Sequence, residues 1–438
     1  MNTNNFFKLC KENGVDVAEV TTSKSKSFEF SIFKNELENY KISTSGKTIA
    51  RGIYNNKLGF CSTEKDDKTT PSYLVKNIIS SARYIEKDEE PIIFSGSEKY
   101  HKKNVYNKEL ENWSNEDKIN RCFELEKLCY AKDSRITNVI VSYGESVSEV
   151  NFANTYGLNL KVKRNHYIVF VEIVIQDGEE VKTYGDYILS SVPSDLVPET
   201  FAKKLTEGAA SLLHGVTPVT GTYKAVFCPD ALAHLLSALV SHMSAEEVQK
   251  HTSKFEGKLN EKVVSNKITL LELPLSKNIF FSYFDDEGVA TTNKTLIKKG
   301  VLQTYLYNLE TAKKDNVAST GNATRVGGKM DIDTVNLVLK PGKLTEEELF
   351  AKVNNGIYVT DLTGIHAGLN AKSGDFSLQA EGFLIEDGKK SKPLGLFTVG
   401  GNLFDLFNNV LAVGNNSKQL IYSITLPSMA VKNVKISG

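Results

Sequence analysis

Most of the features that would announce a function are scarce in this chain. Its 438 residues carry 53 Lys+Arg against 53 Asp+Glu, so no bulk charge is available to hold nucleic acid or an anionic membrane. The opening MNTNNFFKLCKENG has neither a basic start nor an apolar run and does not read as a secretory signal. The longest apolar stretch, residues 225–243, is interrupted by Pro229, Asp230 and two histidines, which makes it too polar to span a bilayer. Five cysteines (Cys10, Cys61, Cys122, Cys129, Cys228) are scattered without a CxxC pair, and a reducing cytoplasm is the expected compartment. There is no Walker loop, no GxGxxG after a strand, no GxSxG elbow and no HExxH. The hydrophobic content of 40% is that of an ordinary soluble globular protein.

What is abundant is glycine near the C-terminus. Ten of the 30 glycines fall in residues 356–416. Such a density is expected of turns or a backbone-lined cleft rather than of smooth helix or sheet. Among them stand Asp361, Thr363, His366, Asn370, Ser373, Asp375, Ser377 and Glu381, a large supply of polar chemistry for one stretch.

The remaining pattern is α+β, since strands and helices come in blocks without regular βαβ alternation. A helix is expected over 4–12, strands over 17–62 and a helix over 73–85, followed by a Lys- and Glu-rich connector over 87–111. A clear helix over 113–132 is capped by Ser114, with Glu116 and Asp117 in its first turn. Strands over 135–189 lead to a helix over 201–214. The Pro/Gly/Thr-rich segment 216–221 is the preferred boundary between an N-terminal α+β domain, 1–215, and a β-rich C-terminal domain, 216–438; a further sub-boundary is expected near 87–111. Beyond it come a strand over 223–227, a helix over 231–248, and a long hairpin-like unit over 280–309 turning at 285–288 and 299–300. Thr345-Glu346-Glu347-Glu348 is a capping box for a helix of about ten residues.

No residue set reads as a catalytic centre. His234 and His242, eight apart on the expected helix 231–248, are separated by about 12 Å of rise. That is too far to share one metal, which needs i, i+3 or i, i+4 spacing. A triad from Ser373 or Ser377, His366 and Asp361 or Asp375 lacks the strained elbow that frames a nucleophile. A metal site from His366, Asp375 and Glu381 has no ligand-like spacing. The acidic run 285–288 lacks alternating oxygen ligands and fits a turn better than a cation loop. The segment 320–325 looks able to present backbone N–H groups to a carboxylate or a peptide main chain.

Several segments together resemble the TldD/PmbA family, once called modulators of DNA gyrase. These are FDDEGVATTNKTLIKKGVLQTYLYNLETA (284–312), STGNATR (319–325), SGDFSLQAEGFLIEDGK (373–389), GNLFDLFNNVLAVGNN (401–416) and the N-terminal VNFANTYGLNLKV (150–162). The resemblance covers nearly the whole chain and is closer to the PmbA (TldE) branch. It implies a two-domain α+β protein with mixed and antiparallel sheets. It also implies a cytoplasmic zinc peptidase, formed with a TldD-type catalytic subunit, that degrades unfolded peptides or leader segments. In the TldD branch zinc is held by an HExxxH helix and a C-terminal cysteine. Here that helix reads Pro229-Asp230-Ala231-Leu232-Ala233-His234, and no cysteine follows Cys228. Only His234 matches a ligand position, so neither a catalytic residue nor a metal is expected in this chain, and zinc is expected in the partner. Asn322, Arg325, Asp361, His366 and Asp375 are the expected lining of a groove for an extended peptide. A homodimer, a stand-alone peptidase and a non-proteolytic binding protein acting on gyrase remain alternatives at this point.

Overall fold

The computed structural model describes residues 1–86 and 90–438; residues 87–89, the start of the expected connector, lie outside the described residues. The architecture is α+β. Its N-terminal half is an antiparallel sheet of β1 (Val17–Phe33), β2 (Glu36–Tyr54), β3 (Lys57–Thr63), β4 (Ile136–Asn154), β5 (Asn159–Asp177) and β6 (Glu180–Ser190), in the order β3-β2-β1-β4-β5-β6. The helices covering it are α1 (Thr3–Glu12), α2 (Thr70–Arg83), α3 (Lys108–Asn112), α4 (Asn115–Lys132) and α5 (Pro198–Ala210).

Side-chain alternation explains the layering. Phe28, Phe30 and Ile32 point to one face with Val139, Val141 and Tyr143, where they meet Cys122, Leu125 and Cys129 of α4 and Leu205 of α5. Burying each such side chain contributes about 2 kcal/mol. Tyr143 lies at the centre, stacked on Phe30 at 5.0 Å and on Tyr167 at 5.9 Å. Ser114 caps α4 as expected, its Oγ accepting from Asp117 N at 3.0 Å. Phe152, nine residues from Tyr143, faces the other way and packs on Phe281, Tyr283 and Phe284 of the C-terminal half.

That half contains β7 (Gly221–Phe227), β8 (Leu270–Glu272), β9 (Lys294–Lys298), β10 (Val301–Leu302), β11 (Ala323–Val326), β12 (Lys329–Ile332), β13 (Leu337–Leu339), β14 (Gly356–Thr363), β15 (Asp375–Glu386), β16 (Lys389–Asn402), β17 (Val410–Val413), β18 (Lys418–Leu420), β19 (Ile424–Leu426) and β20 (Met429–Ser437). Its helices are α6 (Pro229–Ser241), α7 (Ala245–Gln249), α8 (Leu309–Lys314), α9 (Glu346–Val353), α10 (Ile365–Gly368) and α11 (Leu403–Asn408). Among the described residues two six-stranded sheets form, β16-β15-β14-β7-β20-β17 and β10-β9-β8-β13-β19-β18, with β11–β12 as a separate hairpin. Leu232, Leu235, Leu236 and Leu239 of α6 fill the core between the two larger sheets. Leu349, Phe350 and Val353 of α9 cover Val226, Ile385 and Ala430.

Two expectations need correction. The glycine-dense stretch 356–416 is largely sheet, not loop. Its glycines permit close approach of backbones: a Cβ on Gly382 would lie 2.0 Å from Tyr358 O, beside a register shift, and one on Gly356 would lie 2.2 Å from Lys224 O. The helix expected over 231–248 is two helices, because α6 ends at Ser241 and the chain turns before Ala245. The turns expected at 285–288 and 299–300 are both present, the first closed by the Phe284–Ala290 bridge and the second by β9–β10.

Candidate functional site

The helix α6 starts where β7 ends, so its N-terminus and the end of the parallel neighbour β14 open on the same region. Cys228 caps α6, its Sγ accepting from Ala231 N at 3.5 Å and donating to Thr360 O at 3.0 Å. Pro229 occupies the first turn, where a missing N–H costs nothing. Asp230 follows, and both of its oxygens accept from Lys418 Nζ, at 3.1 and 3.0 Å. The same ammonium reaches Asp186 Oδ1 of β6 at 3.2 Å, while Lys204 of α5 holds Asp186 Oδ2 at 2.5 Å. Burial alone would lower the Lys418 pKa, but Asp186 and Asp230 outweigh it and raise it. Burial works against the Asp186 anion too, and Lys418 and Lys204 overcome it, so that carboxyl stays below its ordinary range.

One turn along α6, the half-buried His234 ring lies 4.8 Å from the Tyr422 ring. Burial lowers its pKa, with Asp361 opposing and His366 reinforcing the shift. Asp361 and Glu381 stand directly opposite each other in the β14–β15 register. Asp361 has exposed surface, yet its carboxyl is crowded: burial raises its pKa, and the charge of Asp230 adds to this. Glu381 is raised by burial and then by Asp361. Burial accounts for the common direction, and at Glu381 the like charge of the facing Asp361 adds to it.

A groove of about 520 Å³ runs beside α6, lined among others by Ser237, Ser241, Asp331, Thr334, Lys372 and Tyr422. A larger one, about 940 Å³, lies on the N-terminal sheet between α1 and the turn at 155–159. The larger cavity is remote from α6 and its walls mix Lys8, Lys11 and Lys24 with Asp16, Glu64 and Asp66, so volume alone does not mark the site.

The five expected groove residues fall into two places. Asp361, His366 and Asp375 lie along β14, α10 and β15. His366 is exposed, and Asp375 is held by Asn402 Nδ2 at 2.9 Å; Asn402 and Ser373 keep its pKa low. Asn322 and Arg325 sit elsewhere, Asn322 inside the C-terminal half and Arg325 against the N-terminal sheet. Asn322 is 1% exposed, and its amide is bonded to Glu272 Oε1, Lys294 Nζ and Asp333 O. The Arg325 guanidinium is inside as well, over the Phe60 ring and 3.8 Å from Glu19. The N–H groups of segment 320–325 are also committed within the chain: Ala323 N donates to Asp285 Oδ2 and Arg325 N to Asp286 Oδ2. Those amides meet carboxylates as expected, but the carboxylates are the chain's own.

His242 is not on the α6 face that carries His234. It caps the helix end, donating from Nε2 to Ala371 O at 2.7 Å and accepting at Nδ1 from Lys254 N at 3.1 Å. Among the described residues no hydrogen bond joins His366 to Ser373 or Ser377, and no three His, Cys, Asp or Glu side chains gather as metal ligands. A catalytic zinc does not fit this donor set. Pro229 offers no ligand atom, Asp230 is engaged by Lys418, and no cysteine follows Cys228. Reasoning from sequence missed Lys418, Asp186 and Lys204, because nothing local in a Lys-Gln-Leu strand points to a partner over two hundred residues away.

The sequence profile of the PmbA/TldA metallopeptidase C-terminal domain matches residues 220–438, and that of the central domain matches 108–213. A metalloprotease PmbA homolog of Buchnera aphidicola (subsp. Acyrthosiphon pisum) is 28% identical, the match spanning 99% of this chain and 96% of that protein. The metalloprotease PmbA of Escherichia coli O157:H7 is 25% identical over 97% of this chain and 92% of its own length. Among solved structures, TldE of Thermococcus kodakarensis superposes with a TM-score of 0.92 at 26% identity, covering 100% of both chains. A Thermotoga maritima protein, described as a proposed modulator of a DNA gyrase, gives 0.91 at 30% identity over 99% of both chains.

Proposed function

The chain belongs to the PmbA/TldD metallopeptidase family, and from that premise we propose that it is the PmbA/TldE-like, non-catalytic subunit of a TldD–TldE-type zinc metallopeptidase that degrades unfolded or leader peptides. The observation that carries this reading is the occupation of the motif helix. Where a catalytic centre needs three ligands and an open position for water, α6 presents Pro229, an Asp230 bound to an ammonium, and one histidine.

In this role the chain holds substrate instead of cutting it. An extended peptide lies along the groove beside α6, past Ser237, Ser241 and Tyr422, with Asp361, His366 and Asp375 on the neighbouring β14, α10 and β15 outside that groove, and main-chain hydrogen bonds give affinity with little sequence preference. His234, whose pKa burial lowers, stands behind Tyr422 of that groove. Zinc and the water-activating base belong to a partner with an intact HExxxH helix, in the cytoplasm. No helix of the described residues is long and apolar enough to cross a membrane.

The test is reconstitution. The purified chain, alone and mixed with a family member carrying HExxxH, is assayed on an unfolded peptide with and without chelator. Chelator-sensitive cleavage only in the mixture, with both chains in one complex, is expected. Cleavage by this chain alone overturns the reading.

A further inference from the structure

The Asp186–Lys418–Asp230 bridge joins three elements distant in sequence: β6 of the N-terminal sheet, β18, and the first turn of α6. Asp186 is 6% exposed and the Tyr187 ring lies 4.7 Å from Lys418 Nζ, while the Lys418 and Asp230 side chains are 28% and 39% exposed, so the bridge runs from a buried carboxylate to the rim of the site. The four charges balance, with Lys418 and Lys204 set against Asp186 and Asp230. Asp230 is also the residue at the glutamate position of the family's metal-binding helix. The chain therefore places a fixed positive charge of its own beside that helix.

We propose that Lys418 is a resident cation, which neutralises Asp186 and Asp230 in place of a metal and thereby closes the pair to divalent ions. An ammonium satisfies carboxylate oxygens at about 2.7–3.2 Å, whereas a divalent ion needs the same oxygens at about 2.0–2.6 Å. A metal would have to displace the ammonium from these oxygens, and two positive centres a few ångströms apart repel each other. The bridge has a second consequence: it ties the N-terminal sheet to the start of α6. This inference concerns charge within one chain and stands whether or not a catalytic partner exists.

The experiment uses the full chain and Mn²⁺, a hard ion suited to carboxylate oxygens and countable by the electron paramagnetic resonance of its free form. Wild type, K418M, K418R and the double variant K418M/D230N are titrated, and each is melted without metal. The wild type and K418R should show no tight site. K418M should bind one Mn²⁺ at least about tenfold more tightly than wild type, because a repelling charge is gone, Asp230 is released and Asp186 keeps only Lys204. K418M/D230N should lose that gain. Without metal, K418M should melt below K418M/D230N, since the double variant no longer leaves the Asp230 carboxylate uncompensated beside Asp186. If K418M does not fold while the double variant does, the charge role is supported. Equal Mn²⁺ binding by wild type and K418M, or equal loss of folding in K418M and the double variant, overturns it.

Discussion

Asp285 holds three backbone groups in place with one buried side chain, and truncating it should be costly. Its carboxylate is 4% exposed and accepts three backbone N–H groups: Glu287 at 3.0 Å and Val289 at 2.9 Å on Oδ1, and Ala323 at 3.0 Å on Oδ2. It thereby closes the 285–289 turn and fastens it to β11. In D285A all three donors lose their partner in a site with little access to water. At about 1–3 kcal/mol for each buried unpaired group, and with incomplete additivity, the expected loss is about 4 kcal/mol. D285N keeps an acceptor for two donors but sets its own N–H₂ against Ala323 N, so about 1.5 kcal/mol should be lost. Burial, and after it the charge of Glu287, push the Asp285 carboxyl well above its ordinary 3.8, against the pull of the three N–H groups. A carboxyl raised in this way binds its proton more tightly in the folded state. The stability it provides is complete below 3.8 and is lost as pH rises through the folded value. The advantage of wild type over D285N should therefore be largest in acid and shrink with rising pH. Urea unfolding followed by far-ultraviolet circular dichroism across pH measures both effects. A D285A chain within about 1 kcal/mol of wild type, or an advantage over D285N that grows with pH, would refute this reasoning.

Three further substitutions test other parts of the account. Gly382→Ala places a Cβ 2.0 Å from Tyr358 O in the central sheet, and a loss of about 3 kcal/mol or more should appear as a lower melting temperature. Lys118→Ala strips Glu145 of a buried partner held at 2.7 Å and should cost about 3 kcal/mol, read by the fluorescence of Trp113, whose ring lies 5.8 Å from that ammonium. Thr345→Ala removes one arm of the capping box on α9 and should cost about 1 kcal/mol in the same unfolding assay.

The sequence was most legible where periodicity and caps act over a few residues. Ser114 on α4, Thr345 with Glu348 on α9, and the alternation of Phe28, Phe30 and Ile32 all follow from local rules and all appear in the fold. Gly382 and Gly356 misled for a physical reason. Glycine marks either freedom of φ or closeness of another backbone, and composition cannot separate the two until the neighbouring strand is known. The break after Ser241 was hidden because His242 keeps an apolar-looking register while its ring is spent on Ala371 and Lys254. Segment 320–325 did use its amides to hold carboxylates, but no local signal said that Asp285 and Asp286 would supply them. The Asp186–Lys418–Asp230 bridge was the least accessible feature, since it is created by three elements that meet only in the folded chain.

A chain without a catalytic metal that serves a metal-bearing subunit should be recognised by zinc content and chelator-sensitive peptidase activity, measured together on the purified full chain before and after adding an HExxxH-bearing partner. Substoichiometric zinc and no cleavage are expected for the chain alone, with zinc and activity arriving only with the partner. One zinc per chain together with chelator-sensitive cleavage in the lone protein would contradict the proposed role.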